Sequence, residues 1–347
     1  MLASQCVTAE FPGTLLASRS KLRYLPAMPT LIYSHPACLA HETPPGHPER
    51  IDRIRAVHQV IRSPLFNSTI HREAPLGTEA QILRAHTEEH YQRVLQAAPE
   101  HGFEYLDADT VMSPGTLPAA LRAVGASCAA VDAVIAGEAQ NAFIAMRPPG
   151  HHAEHNRAMG FCLFNHAAIA ALHARAAHGL ERVAVVDFDV HHGNGTQDIF
   201  WSDKDLFYGS THQMPLYPGT GSRSETGVGN IFNAPLRAGD GRPEFQTAME
   251  DIILPALNLF EPEFLIISAG FDAHVRDPLG SLGLEEEDFA WATLKLMEIA
   301  DTHANGRIVS VLEGGYDLQG LAGSVGVHLQ ALMHGEAIMD NEDEDNG

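Results

Sequence analysis

The chain has 347 residues, 45% of them hydrophobic, and a formal charge of −22, enough length and apolar content for one large α/β domain with a substantial core. That charge disfavours nucleic acid, whose phosphates would be repelled, and suits cationic substrates or plain solubility; no window of about 18 apolar residues is read, which excludes a membrane-spanning helix. Four scattered cysteines, Cys6, Cys38, Cys128 and Cys162, form no Cys-x-x-Cys pair, arguing against cysteine-held zinc and for a reducing, cytoplasmic setting.

In chain order, residues 1–28 place Arg19, Lys21 and Arg23 after Leu15-Leu16, the reverse of a secretory signal, and are read as an extension outside the core. An apolar run at 31–33 predicts the first strand. Helical spacing follows over Pro48 to Ser63 and Pro114 to Ile135, then a strand over 141–146 and a helix over Asn165 to Ala177. Strands at 183–188 and 206–211 precede a loop, Thr211 to Gly229, rich in Pro, Gly and Ser. A helix over Glu244 to Phe260, a strand at 264–268, a helix over Glu285 to His303, a strand at 307–312 and a helix over Leu318 to His334 complete the core. This alternation predicts a single domain, residues 29–335, built on a doubly wound, mostly parallel sheet with ligands at its carboxyl edge. The like-charge run Asp340 to Asp345 ends the chain as a solvated tail over 336–347.

Four predicted strand ends carry chemistry. After Val183-Ala184-Val185-Val186 come Asp187, Asp189 and His191, which period-two geometry sends to one face. After the strand at 264–268 a glycine loop delivers Asp272. Asp189, His191 and Asp272 would give one nitrogen and two carboxylates with an open coordination position, the mark of a catalytic metal. Arg147-Pro148-Pro149-Gly150-His151-His152 sets adjacent histidines on a rigid loop, as proton handlers in a polar cleft. Gly314-Gly315 turns the backbone so that Tyr316 faces inward. Taken singly, each of these is also ordinary turn or capping chemistry.

Together, and in this order, these residues resemble the zinc-dependent histone deacetylase family, as does Gly160-Phe161-Cys162-Leu163-Phe164-Asn165. The likeness covers Leu31 to Met333, and the forms Arg-Pro-Pro-Gly-His-His and His-His-Gly-Asn-Gly-Thr are similar to its class II branch and bacterial relatives. The resemblance implies an arginase/deacetylase-like three-layer fold and hydrolysis of acyl-lysine through metal-activated water. It implies Zn²⁺ on Asp189, His191 and Asp272, a donor set that also suits Fe²⁺, and K⁺ beneath it through Asp187, Asp189, His191 and Ser210. His152 is then the base and acid, His151 its charged neighbour oriented by Asp187, and Tyr316 the oxyanion donor. Asn194 stands behind His152 where class I relatives have an aspartate. Gly160, Phe161, Tyr217 and Leu279 are expected to wall the substrate tunnel, and Arg50 to line the product-release region.

Other activities on this fold are weighed by residue. Two-metal ureohydrolases need an Asp where Gly193 stands and an Asp-x-Asp where the chain has Asp272-Ala273-His274. Acetylpolyamine amidohydrolase keeps the same catalytic set and differs at the entrance, where Asp107 and Asp109 are candidates. A non-catalytic acyl-lysine binder would not need Asp189, His191, Asp272, His152 and Tyr316 all present. The expected partners are an acylated lysine peptide or protein or an acetylated polyamine, and a homo-oligomer is left open.

Overall fold

The computed structural model describes residues 29–335; the amino-terminal stretch 1–28 and the tail 336–347 lie outside the described residues. In chain order the strands are β1 (Thr30–Ser34), β2 (Ile70–Glu73), a separate antiparallel pair of β3 (Glu104–Tyr105) and β4 (Val111–Met112), β5 (Asn141–Ile144), β6 (Val183–Asp187), β7 (Leu206–Gln213), β8 (Ile231–Leu236), β9 (Phe264–Ala269) and β10 (Ile308–Leu312). Eight of them form one sheet in the order β2-β1-β5-β10-β9-β6-β7-β8, each neighbouring pair parallel. The strands β5, β10, β9 and β6 are therefore adjacent. Loops far apart in sequence open side by side at the carboxyl edge, where ligands of open α/β sheets bind.

The helices are α1 (Ile51–Ile61), α2 (Glu79–Ile82), α3 (Glu88–Gln96), α4 (Thr116–Ile135), α5 (His166–His178), α6 (Asn194–Phe200), α7 (Arg242–Ala248), α8 (Leu254–Phe260), α9 (Glu286–His303) and α10 (Leu318–His334). On one face of the sheet α4 and α5 pack on β1, β5, β6, β9 and β10, while α1, α9 and α10 pack on one another over the other. Fully buried His328 of α10 pins that second layer, with Nε2 2.8 Å from Ser310 Oγ of β10 and Nδ1 2.6 Å from Thr293 Oγ1 of α9. The three-layer expectation holds.

Interior strands are buried on both faces, as a parallel sheet with helices on each side requires: every residue of β5, β6, β9 and β10 is buried. Each such Val, Leu, Ile or Phe contributes about 1.5–3 kcal/mol relative to exposure. The chain places a Pro and helix-capping groups to match. Asn165 caps α5 by accepting from Ala168 N, and α5 stops at Gly179 in the left-handed region. The helix expected over Glu244 to Phe260 is real but interrupted, because Pro255 lacks an N–H and the turn Met249–Ile253 widens to a π geometry before it.

One exclusion from composition needs correcting. Helix α4 is long and apolar enough, with mean hydropathy 1.4, to cross a membrane by length and composition, yet 67% of that window is buried within the protein. Its apolar residues are spent on the sheet and on α5.

Candidate active site

Only Asp187 lies within β6; Asp189 and His191 follow it in a loop, so strand alternation alone does not gather them. A chain of backbone hydrogen bonds does: Asp189 N donates to Asp187 Oδ1 at 3.1 Å and His191 N to Asp189 Oδ1 at 2.9 Å. From the end of β9, Asp272 Oδ1 accepts from Val190 N at 2.8 Å. One nitrogen, His191 Nδ1, then stands 3.1 Å from both Asp189 Oδ1 and Asp272 Oδ2. Burial opposes charge on this imidazole, but the two carboxylates prevail and push its pKa up to about 10, so the cluster favours positive charge between its carboxylates. Glycine makes the room: a Cβ at Gly270 would overlap the Asp189 carboxylate, and one at Gly314 that of Asp272. One nitrogen and two carboxylates, all buried and within 4.8 Å of one another, fit a single divalent transition metal.

The histidine pair comes from the loop after β5, its ring centroids 4.1 Å apart. His151 Nδ1 donates to Asp187 Oδ2 at 2.9 Å, an oxygen that also accepts from Tyr208 Oη at 3.1 Å. Burial resists, but Asp187 and Asp189 raise the His151 pKa well above the ordinary value. His152 Nδ1 instead faces Asn194 Oδ1 at 2.8 Å; burial and then the neighbouring His151 and His191 hold its pKa well below the ordinary value. The two rings are thus shifted in opposite directions. Glu313, at the end of β10, fixes the loop by accepting from Gly150 N at 2.6 Å and His151 N at 3.1 Å.

A cavity of about 260 Å³ leads to this cluster. Its lining includes all four expected wall residues, Gly160, Phe161, Tyr217 and Leu279, together with His152, His191 and Tyr316. Tyr217 is 38% exposed, at the mouth, with its ring edge-on to His152 at 5.1 Å. Tyr316 is buried; Asp277 Oδ2 accepts from its backbone N at 2.6 Å. Burial lifts the phenol pKa well above the ordinary value despite nearby Arg53, so the O–H remains a donor. Ser210 sits level with Asp187 across the β6–β7 pair, its Oγ 2.9 Å from His212 Nδ1.

A second group of ligand-type side chains, among the described residues, does not behave as a metal site. Asp132 Oδ1 accepts from His173 Nε2 at 2.7 Å and His178 Nε2 at 2.6 Å, but Arg84 Nη1 donates to His173 Nδ1 at 2.6 Å. A metal-bound histidine presents its remaining N–H to an acceptor, and here that nitrogen meets a guanidinium. The group is a staple between α4 and α5.

Comparison with known proteins agrees with this geometry. A family model described as the histone deacetylase domain matches residues 47–332. The chain belongs to the histone deacetylase family. It is 39% identical over 315 residues to a probable deacetylase of Archaeoglobus fulgidus, covering 89% of this chain and 87% of the relative. To a histone deacetylase-like amidohydrolase of Pseudomonas aeruginosa it is 42% identical over 250 residues, covering 71% of this chain and 66% of that one. The crystal structure of the HDA15 HD domain superposes with a TM-score of 0.84 at 35% identity, covering 90% of each chain.

In this histone deacetylase-family chain one expected position is displaced. Arg50 is not brought to the site: it is the residue before α1, with extended backbone and a side chain 47% exposed that pairs with Asp52 at 2.8 Å. Helix α1 starts three residues later than Pro48, and Arg53 occupies the inner position instead. Its guanidinium donates to Gly315 O at 2.6 Å, Glu313 O at 2.5 Å and Glu49 Oε1 at 3.1 Å, with Cζ 4.7 Å from the Tyr316 ring centroid. Arg147 completes the cluster, donating to both Glu49 oxygens at 2.7 and 2.5 Å. Sequence reasoning missed Glu49, Arg53 and Glu313. A charged residue on the apolar stripe of α1 with Ile54, Val57 and Ile61 was the available signal for Arg53. Asp109 also lines the cavity, its Oδ1 accepting from Gly160 N at 3.2 Å.

Proposed function

We propose that this chain is a metal-dependent amidohydrolase that removes acetyl or other acyl groups from lysine side chains. The observation that carries the reading is that one cavity is lined by His152, His191 and Tyr316, with Asp189 and Asp272 buried against His191 and His151 buried against His152. Zn²⁺ is the metal we assign first and Fe²⁺ second, because both accept one imidazole and two carboxylates. Bound there, such a cation supplies Lewis acidity, polarising an amide carbonyl and making water acidic.

The chain's own groups do the rest. The cavity takes an unbranched stem with its amide at the foot and its charged carrier outside. His152, its Nδ1 held by Asn194, takes a proton at Nε2 from the attacking water and returns it to the departing amine nitrogen as the C–N bond breaks. His151, paired with Asp187, stabilises the negative charge that develops between these events. Tyr316 donates its O–H to the carbonyl oxygen as that oxygen becomes anionic. Arg53 braces the turn that carries Tyr316 through the carbonyls of Glu313 and Gly315. We assign K⁺ as a structural ion near Asp187, Asp189, His191 and Ser210, supported by the register that sets Ser210 beside Asp187. Residues 29–335 are proposed as one catalytic unit acting in the cytoplasm, a setting supported by the free, buried Cys38, Cys128 and Cys162.

A second substrate class, acetylated polyamines, is favoured by one observation: Asp109 lines the cavity, and Asp107 Oδ1 lies 3.2 Å from its backbone N, so that a second ammonium of the substrate would meet carboxyl groups. Comparing kcat/KM of the metal-loaded protein on acetyl-lysine peptides, longer acyl-lysines and acetylated polyamines decides between them. Peptides should lead. No turnover of any linear amide would remove the hydrolase reading altogether.

A further inference from the structure

His152 is oriented by an amide, and an amide has two unlike ends. Asn194 turns its Oδ1 to His152 Nδ1 at 2.8 Å, while its Nδ2 lies 2.8 Å from Glu154 Oε1, 3.3 Å from Met159 Sδ and 3.5 Å from the His152 carbonyl oxygen. The carboxylate is the strongest of those three partners, and it offers acceptors only, so the end facing it must be the NH₂ group. The opposite end is then oxygen. It accepts from the imidazole, Nδ1 keeps the proton, and Nε2 presents a lone pair to the tunnel. Turned by half a rotation, the amide would offer N–H to Nδ1, the proton would move to Nε2, and the ring could not take a proton there.

We infer that Glu154 is a positioning residue: it fixes which way the Asn194 amide points and thereby sets the His152 tautomer. The inference rests on the assignment of His152 as the base. A carboxylate in place of Asn194 would present the same acceptor either way round and would need no such guide. Glu154 is itself held. Arg157 Nη2 lies 3.2 Å from its Oε2, the backbone of Glu154 and Arg157 pair through N–O contacts of 2.9 and 3.4 Å, and His86 Nδ1 is 2.9 Å from its carbonyl oxygen. Its side chain is 24% exposed, so it can be replaced without opening the core.

Glu154→Leu keeps the approximate shape and removes the acceptor. In the metal-loaded enzyme it should lower kcat by about 10-fold or more, with KM, metal content and melting temperature little changed. Glu154→Gln, which can still accept from Asn194, should restore most of that loss. In an Asn194→Asp background the Glu154→Leu loss should vanish, because the guided amide is gone. A readout independent of turnover is the ¹H–¹⁵N spectrum of histidine-labelled holoenzyme: the wild type should carry the His152 proton on Nδ1, and Glu154→Leu should show the Nε2-protonated form. Unchanged kcat and tautomer in Glu154→Leu overturn the inference, as does an equal loss in the Asn194→Asp background, which would mark Glu154 as merely structural. Full turnover in His152→Ala, together with the tautomer shift seen in Glu154→Leu with His152 intact, would instead remove the base assignment and leave Glu154's control of the ring standing.

Discussion

Tyr316 is the residue whose role depends least on its neighbours' chemistry and most on one atom. Its ring is wedged by Phe161 at 6.0 Å and by Arg53, so Tyr316→Phe removes the O–H and little else. It should lower kcat by about 10²-fold or more with KM and metal content nearly constant; a steady-state pair of constants near wild type would reduce Tyr316 to a packing residue. The two arginines of α1 make a matched contrast. Arg50→Ala, on an exposed pair, should change stability by under about 0.5 kcal/mol and leave kcat alone, whereas Arg53→Ala should lower both. Measured kcat and urea midpoints for the pair test the displacement of the inner position by one turn. That displacement was illegible for a physical reason: the helical period predicts a stripe but not where the helix starts, and Arg50 falls on the extended residue before it. Asp189, His191 and Asp272 could be picked out because several apolar runs end in ligand-type side chains in one ordered set, although each alone is ordinary turn chemistry. Glu154 and Glu313 were not, since each acts through a partner that only the fold supplies.

At the scale of elements, the interior strands could be read directly from their apolar runs, and the edges could not. β2, Ile70–Glu73, is largely exposed, and β8 contains Pro235 and Asn233; neither shows the continuous apolar run of a buried strand, and Pro is tolerated at a sheet edge where its missing donor is not needed. Helix α6 was hidden because it is only seven residues long and begins at Asn194-Gly195-Thr196, where no apolar helical period shows. The buried Glu49–Arg53–Arg147 cluster joins α1 to the loop after β5, and removing the carboxylate leaves two buried guanidinium groups without it. Glu49→Gln should therefore destabilise the fold by about 3–5 kcal/mol in urea unfolding. The pH dependence has a definite sign. Burial opposes the charge on Glu49, but Arg147 and His41 hold its pKa well below the ordinary 4.5. A depressed folded value gives stability that is fully present above the ordinary pKa and is lost as pH falls through and below it. The acid limb of the unfolding profile should accordingly be shallower in Glu49→Gln; an unchanged limb would show that Glu49 contributes nothing to it. Between the elements, Gly270→Ala would drive a methyl into Asp189 and should cost metal occupancy before it costs secondary structure, read by elemental analysis against circular dichroism.

For the molecule as a whole, the parallel sheet order is what converts four short motifs into one site. Because β5, β10, β9 and β6 are neighbours, a histidine loop, a glycine-phenol turn, a carboxylate turn and the Asp187–His191 loop open onto one cavity, and distance along the chain ceases to matter. The excess negative charge, by contrast, says little about chemistry beyond the carboxyl groups at the cavity. The proposed hydrolysis rests on a single catalytic metal held by Asp189, His191 and Asp272. Its most direct test is a metal titration of the chelated protein followed at once by bound-metal analysis and by turnover of an acetyl-lysine peptide. Activity should rise in proportion to bound Zn²⁺ and saturate at about one ion per chain, with neither binding nor turnover in Asp189→Ala. Saturation at two ions per chain, or full turnover in the chelated protein, would contradict it.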